Sequence, residues 1–254
     1  MSTNNNTLFI GKVLLQLEQV DSTNSYALEL LSKNKPSEGT VISAWNQSQG
    51  RGQIGSGWES EAGKNITISL ILYPTFLPIK QQFLLNQAIS LSVFDFISRF
   101  INAQVKIKWP NDILVGDKKI AGTLIQNILY SDNFQTSIIG IGINVNQTLF
   151  LSDAPNPTSL KLETKSENEL PNLIDLLCSD IEKRYLQLRS DKSSIIEKEY
   201  LSNLYRFRED AIYQRMDNDE VFSGKIVGLE ESGKLIIDHA KGQTVFSIKE
   251  VKFL

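Results

Sequence analysis

The chain has 254 residues, 41% hydrophobic and 22% charged, which suits one large domain plus a small one in an ordinary soluble globular protein. A net charge of −3 and a pI of about 5.4 argue against a general nucleic-acid binder and against long-range attraction to an anionic membrane. A single cysteine, Cys178, and a single histidine, His239, exclude an internal disulfide and a Cys/His zinc cluster, and a reducing cytoplasm fits that usage.

The first seven residues are polar and uncharged, unlike a signal peptide, and no apolar run approaches the ~18 residues of a membrane span. Residues 8–20, rich in Val, Leu and Ile, predict extended structure. Asp21 or Ser22 then offers an N-cap oxygen to a helix with apolar positions at Ala27, Leu28, Leu30 and Leu31. Pro36-Ser37-Glu38-Gly39 ends that unit, a strand follows over 40–46, and a glycine-rich loop covers 49–58.

Ile66, Ile68, Leu70 and Leu72 alternate with polar or small residues, the period of a half-buried strand. Residues 77–101 predict a long helix and 105–109 a short strand stopped by Pro110. Gly116-Asp117 is a hairpin turn signal leading into a strand from Lys118, and residues 135–146 form one more. Helices follow over 167–187 and 193–207. Beyond Phe207 the texture changes to short strands over 211–215, 221–229, 234–239 and 244–248, with turns at Glu231-Ser232-Gly233 and Lys241-Gly242. The fold class read from this order is α+β. A mixed β-sheet with helices packed on it spans residues 1–208, and a small β-barrel spans 209–254.

Four segments carry chemistry. In the loop from Gly50 to Trp58, four glycines in eight residues let backbone amides approach an anion and let the loop change shape. Arg51 adds a planar donor for carboxylate or phosphate, and Trp58 a ring on which another can stack. A surface hairpin ending in a buried tryptophan would look the same; a P-loop would not, since no Gly-Lys-Ser/Thr ends it. In Lys106-Ile107-Lys108-Trp109-Pro110-Asn111-Asp112 and Lys118-Lys119-Ile120-Ala121-Gly122, the turn at Gly116-Asp117 puts Lys108 and Lys119 on paired strands, aiming two ammonium groups at one site. Lys106 and Lys118 read as the solvated face of that hairpin.

Asp21-Ser22-Thr23-Asn24 stands at a helix start, where free amides suit polar or anionic groups and where a plain N-cap is the simpler explanation. In Gly140-Ile141-Gly142-Ile143-Asn144, small residues in an apolar strand predict close packing against the backbone, by a ligand or by a helix. Asn144 has an amide suited to reading an adenine. Cys178, among Leu176 and Leu177, reads as a core residue, and His239 lacks the partners of a Ser-His-Asp triad.

Taken in order, Ser22-Thr23-Asn24, Gln47, Gly50-Arg51-Gly52, Trp58, Lys108-Trp109-Pro110-Asn111-Asp112, Lys119-Ile120-Ala121-Gly122 and Gly142-Ile143-Asn144 resemble the biotin–protein ligase family over residues 20–146. The resemblance implies a class II synthetase-like catalytic domain followed by an SH3-like barrel. It implies an enzyme that makes biotinyl-5′-AMP from biotin and ATP, with Mg²⁺, and transfers the biotin to a lysine of a biotin carboxyl carrier protein. Thr23, Gln47 and the backbone near Gly122 would hold biotin, while Arg51 and Lys119 would meet its carboxylate and the α-phosphate. Trp58 and Asn144 would enclose the adenine, with Ser22 and Asn24 nearby. Gly50, Gly52, Gln53 and Gly142 would complete the biotin and ATP contacts, Lys108 would add charge, and Asp112 would sit where the acceptor lysine enters.

Such a reaction joins two anions and so needs positive charge at the phosphorus. Its mixed-anhydride product needs a loop that closes against water. The family often has further basic residues where this chain has Gln53, Ile54 and Ser56, so Arg51, Lys108 and Lys119 are expected to supply most of the charge. Fewer than about 25 residues precede the first motif, leaving no room for a helix-turn-helix, so the resemblance is to the short, ligase-only form with no nucleic-acid partner. A homodimer through a sheet edge is compatible with the sequence. A lipoate or octanoate ligase or transferase of the related fold is the alternative, and a catalytically silent binding module a more distant one.

Overall fold

The computed structural model of the chain describes residues 6–53, 56–130, 133–152, 156–190 and 192–254. Its main layer is a seven-stranded sheet. The strands are β1 (Leu14–Val20), β2 (Val41–Gln47), β3 (Ile66–Leu72), β4 (Val105–Lys108), β5 (Asp112–Val115), β6 (Lys118–Tyr130) and β7 (Asn133–Ile143). They lie in the order β1-β2-β3-β7-β6-β5-β4; β1 and β2 are parallel and every other pair is antiparallel.

The strand β3 is buried along its whole length, not on one face as its alternation predicts. Ile66, Ile68, Leu70 and Leu72 join the large core, while Ile71 belongs to a second cluster with Ala27, Ile42 and Ile138. Thr67 and Ser69 are buried as well because each finds a hydrogen bond, Thr67 with the Ala44 carbonyl and Ser69 with Thr23 and Asn24. The helix α1 (Thr23–Lys33) contributes Ala27, Thr23 and Asn24 to this second side.

On the other side lies α2 (Gln82–Ser98), with twelve buried residues. It begins later than position 77: Leu77 precedes Pro78, which disfavours a helical residue before it, and a single 3₁₀ turn over Ile79–Gln81 intervenes. The helices α4 (Leu170–Arg189) and α5 (Ser193–Ser202) pack against α2, and a short α3 (Leu160–Thr164) that the sequence did not signal precedes them. Two buried charges, Arg184 and Asp180, help clamp this layer. Arg184 pairs with Asp95 and with Glu199, and Arg99 pairs with Asp180.

Lys108 and Lys119 are not on paired strands. Gly116-Asp117 turns β5 into β6, and β5 separates the two, with Asp112 opposite both Lys108 and Gly122. Backbone hydrogen bonds from Ile107 to Asn203 and from Tyr205 to Ile107 cover the outer edge of β4.

The C-terminal strands β8 (Asp210–Arg215), β9 (Val221–Leu229), β10 (Leu235–His239), β11 (Gly242–Phe246) and β12 (Val251–Phe253) form an antiparallel sheet in the order β11-β10-β9-β8-β12. The three-residue β12 was not expected, being too short to show a period. Tyr213, Ile226, Leu235, Ile237, Phe246 and Val251 are buried in this region and belong to the same cluster as the core beneath β3. The second sheet is seated where Trp109 Nε1 donates to the Gly233 carbonyl at 2.9 Å. No helix of the described residues is long and apolar enough to cross a membrane.

Candidate active site

A cavity of about 550 Å³ opens on the α1 side of the large sheet, between the glycine-rich loop, the middle of β6 and β7, and the last strand of the second sheet. Its polar floor is built from α1. Ser22 is the N-cap in backbone conformation, but its side chain makes no capping bond. The first helical amide is not free for a ligand: Thr23 N donates to Gln47 Oε1 at 2.8 Å, and Thr23 Oγ1 lies 3.1 Å from the same oxygen. That leaves Gln47 Nε2 to donate elsewhere. The Ser69 hydroxyl lies 2.7 Å from Thr23 Oγ1 and 2.5 Å from Asn24 Oδ1, and Asn24 Nδ2 donates to Gln126 Oε1 at 3.0 Å. Five side chains thus fix one another's orientation before any ligand arrives.

The small residues of β7 are explained by what lies on them. A Cβ at Gly140 would come within 2.5 Å of Asn24 Oδ1, and one at Gly142 within 2.3 Å of the Trp58 ring. The close packing expected of this strand is therefore made by two side chains, one from α1 and one from the loop. Trp58 is partly buried, and its indole N–H is buried with no partner among the described residues.

The loop closes at its neck, where Trp58 N donates to the Gly50 carbonyl at 2.9 Å. A Cβ on Gly50 would meet the Trp58 carbonyl oxygen at 2.2 Å, so only glycine fits. Gly50 itself is not on the cavity, whereas Arg51, Gly52, Gln53, Ser56, Gly57 and Trp58 are. Arg51 is exposed and pairs through its backbone with Gly57. Ile54 and Gly55 lie outside the described residues.

Opposite the loop stand the lysines. Lys119 Nζ is 2.7 Å from Asp112 Oδ1 and 5.7 Å from the centre of the Trp58 ring. Gly122 faces this pair closely enough that a Cβ would be 3.2 Å from Asp112 Oδ1. The backbone of Lys119 is braced on both sides, its N–H to the Asn156 carbonyl and its carbonyl to Thr158 N–H, each at 2.8 Å. Lys108 Nζ lies 5.3 Å from the centre of the Phe253 ring. Burial lowers the pKa of Lys108; Asp112 opposes that, while Lys119 and Arg206 reinforce it, and the net shift is downward. The corner between Lys108 and Asp112 is held by the Trp109 bond to Gly233, by Tyr200 donating to the Pro110 carbonyl at 3.1 Å, and by Asn111 Nδ2 donating to the Thr123 carbonyl.

Of the residues singled out in the sequence, Ser22, Thr23, Asn24, Gln47, Arg51, Gly52, Gln53, Trp58, Lys108, Asp112, Lys119, Gly122 and Gly142 line the one cavity. Asn144 does not. It is buried, its N–H bonded to the Ile120 carbonyl and its Nδ2 to the Thr158 carbonyl, both at 2.9 Å. The second sheet and its turns add Met216, Ile248, Lys249, Val251, Lys252 and Phe253. No local motif marks them, because what brings them here is the docking of one sheet on another. Among the described residues the charged lining is Arg51, Lys108, Lys119, Lys249 and Lys252 against the single carboxylate of Asp112, a cationic pocket in an acidic chain. Lys118 pairs with Glu163 at the surface, as a solvated lysine should. Cys178 is buried in α4, and burial first, then Asp175 and Glu182, push its thiol up to about 12.

A family model for biotin/lipoate A/B protein ligases matches residues 16–144. The chain is 31% identical over 241 residues to a bifunctional ligase/repressor of Bacillus subtilis, covering 93% of this chain and 72% of that protein. It is 29% identical over 255 residues to a biotin–[acetyl-CoA-carboxylase] ligase of Paracoccus denitrificans, covering 93% and 99%. Its fold is similar to that of a biotin protein ligase from Aquifex aeolicus solved with biotin and ATP, with a TM-score of 0.78, 26% identity, and coverage of 96% of this chain and 100% of the other.

Proposed function

The chain belongs to the biotin/lipoate A/B protein ligase family, and from that premise we propose that it is an ATP-dependent biotin–protein ligase. In the first step a biotin carboxylate oxygen attacks the α-phosphorus of ATP, forming biotinyl-5′-AMP and expelling pyrophosphate. In the second, the amine of a carrier-domain lysine attacks the acyl carbon and AMP leaves. The reading includes a cytoplasmic location.

The observation that carries it is the convergence of Arg51, Lys108 and Lys119 on one cavity whose floor is the preset Thr23–Gln47 pair. The cations offset the charge of two anions brought together, and the floor offers directed neutral donors to an uncharged polar ring. Trp58 supplies a flat face for the base. Asp112, held against Lys119, is the one carboxylate of the lining among the described residues and in this reading would meet the incoming ammonium. Magnesium would enter on the triphosphate. Among the described residues no three acidic, His or Cys side chains group to hold an ion, so the phosphates would be its principal ligands. An octanoyl transferase needs a cysteine nucleophile, and Cys178 lies in the core with its thiol firmly protonated.

The test is to incubate the protein with ATP, biotin and a biotin carboxyl carrier domain, then weigh the carrier. A gain of one biotinyl group is expected, with pyrophosphate released faster with biotin than with lipoate. Equal or faster release with lipoate would overturn the assignment. Arg51→Ala should lower the rate of adenylate synthesis on the order of 100-fold, the usual scale for losing one preorganised charge-stabilising donor. An unchanged rate removes Arg51 from the site.

A further inference from the structure

Immediately after Trp58 the chain is tied down by a carboxylate. Glu59 Oε1 accepts from Leu151 N–H at 2.9 Å and Gln147 Nε2 at 3.1 Å, and Oε2 accepts from Ser152 N–H at 2.8 Å. Partial burial works to raise the pKa of this group, but hydrogen bonds from Ser152, Leu151 and Gln147 together hold it below the usual carboxylate range. Gln147 is itself buried, and its Oε1 accepts from Glu61 N–H at 3.0 Å and from Asn65 Nδ2 at 2.5 Å. Asn65 Oδ1 accepts from Val145 N–H at 3.0 Å, and Asn146 N donates to the Lys64 carbonyl at 2.7 Å. Residues 59–65 and 145–152 are thus laced together by side chains as well as backbone.

The loop on the other side of Trp58 is tied to the body of the chain at its start, where Gln49 N donates to the Asp21 carbonyl at 2.8 Å. Beyond Gln49 its bonds among the described residues are local, from Gly52 N to the Ser56 carbonyl at 3.0 Å and from Ser56 N to the Gln53 carbonyl at 2.8 Å, closed by the Trp58–Gly50 neck. Trp58 therefore stands at the junction between a self-contained loop and a firmly anchored segment. Its ring lies on Gly142 with no room for a Cβ between them, and among the described residues its buried indole N–H has no hydrogen bond to hold it there. The register of the ring is left to packing and to the backbone that follows it.

We propose that Glu59 is a positioning residue of this site, whose carboxylate locks the backbone behind Trp58 so that the indole presents a fixed face to the nucleotide base. The inference rests on the ligase reading for the identity of the ligand, but the lock itself does not depend on it. Losing the lock lets the ring wander, which weakens binding of a base but leaves the charges at the phosphorus where they were.

The test uses Glu59→Gln, Glu59→Ala and Glu59→Asp in the full chain, measuring pyrophosphate release with biotin as ATP is varied. Because charge-assisted hydrogen bonds are lost, Glu59→Gln and Glu59→Ala should raise KM for ATP roughly tenfold, with kcat at saturating ATP within about threefold of the parent and partial recovery in Glu59→Asp. A second readout needs no catalysis: acrylamide quenching of the emission removed by Trp58→Phe should increase in the Glu59 variants while the unfolding temperature of Glu59→Gln stays near that of the parent. Unchanged KM with unchanged quenching overturns the proposal, as does a fall in kcat at constant KM. A parent protein that releases no pyrophosphate sinks the ligase reading and leaves the quenching result to decide the lock.

Discussion

Lys108 stands under opposing influences, and the outcome should be visible in a pH profile. Burial disfavours its ammonium, Asp112 supports it, and Lys119 and Arg206 oppose it, so it loses its proton below the ordinary lysine value of 10.5. A cation that disappears early should bring down kcat/KM for adenylate formation on the alkaline side, since that quantity reports the free enzyme. Lys108→Arg keeps its charge across this range, so its alkaline limb should move to higher pH; a limb in the same place as the parent's would mean that the charge of Lys108 is not used. At this scale the residue types of the site were largely legible, because Arg51, Lys108, Lys119 and Asp112 fall in short motifs with few other uses. Asn144 was not. It follows a strand that lines the cavity, but its amide is claimed by the Thr158 carbonyl, and nothing in Gly142-Ile143-Asn144 reveals that the chain returns there fourteen residues later.

One motif that joins the two sheets is the turn at Gly233. Its φ of +87° lies in the region that favours glycine, and a Cβ there would come within 2.2 Å of the Phe83 ring. Gly233→Ala should therefore cost on the order of 2 kcal/mol, an expected fall of roughly 4–8 °C in unfolding temperature for a protein of this size. Thermal unfolding followed by circular dichroism checks it; an unchanged midpoint would show that the turn is not seated on α2. The turn was legible as Glu231-Ser232-Gly233, but its partner Trp109 was not, since no local pattern links residue 109 to residue 233. The strands were read well where β-branched residues alternate, as in β3, and poorly where polar residues are buried by partners from elsewhere. Thr67 and Ser69 made β3 look half exposed, yet Ala44, Thr23 and Asn24 satisfy them. The pairing of Lys108 with Lys119 failed for a related reason: residues 112–115 are only four long, and a strand that short has no period to read.

The proposed units 1–208 and 209–254 share one apolar cluster, in which Tyr213, Ile226 and Phe246 sit with Ile68, Ile107 and Trp109. A chain stopped at residue 208 should therefore lose its cooperative melt and bind a dye for exposed apolar surface, while the full chain should show one calorimetric transition. Two separate transitions would mean that the second sheet unfolds independently. The change from helices to short strands beyond Phe207 was legible, but its contribution to the cavity was not, because docking depends on surfaces far apart in the chain. The walls of that cavity run from Ser22 to Phe253. Until residues 248–253 have docked, the folding polypeptide has no complete pocket to offer. Nucleotide therefore cannot act as a template for the walls that form earlier, and whatever steadying it provides comes only once that last wall is seated.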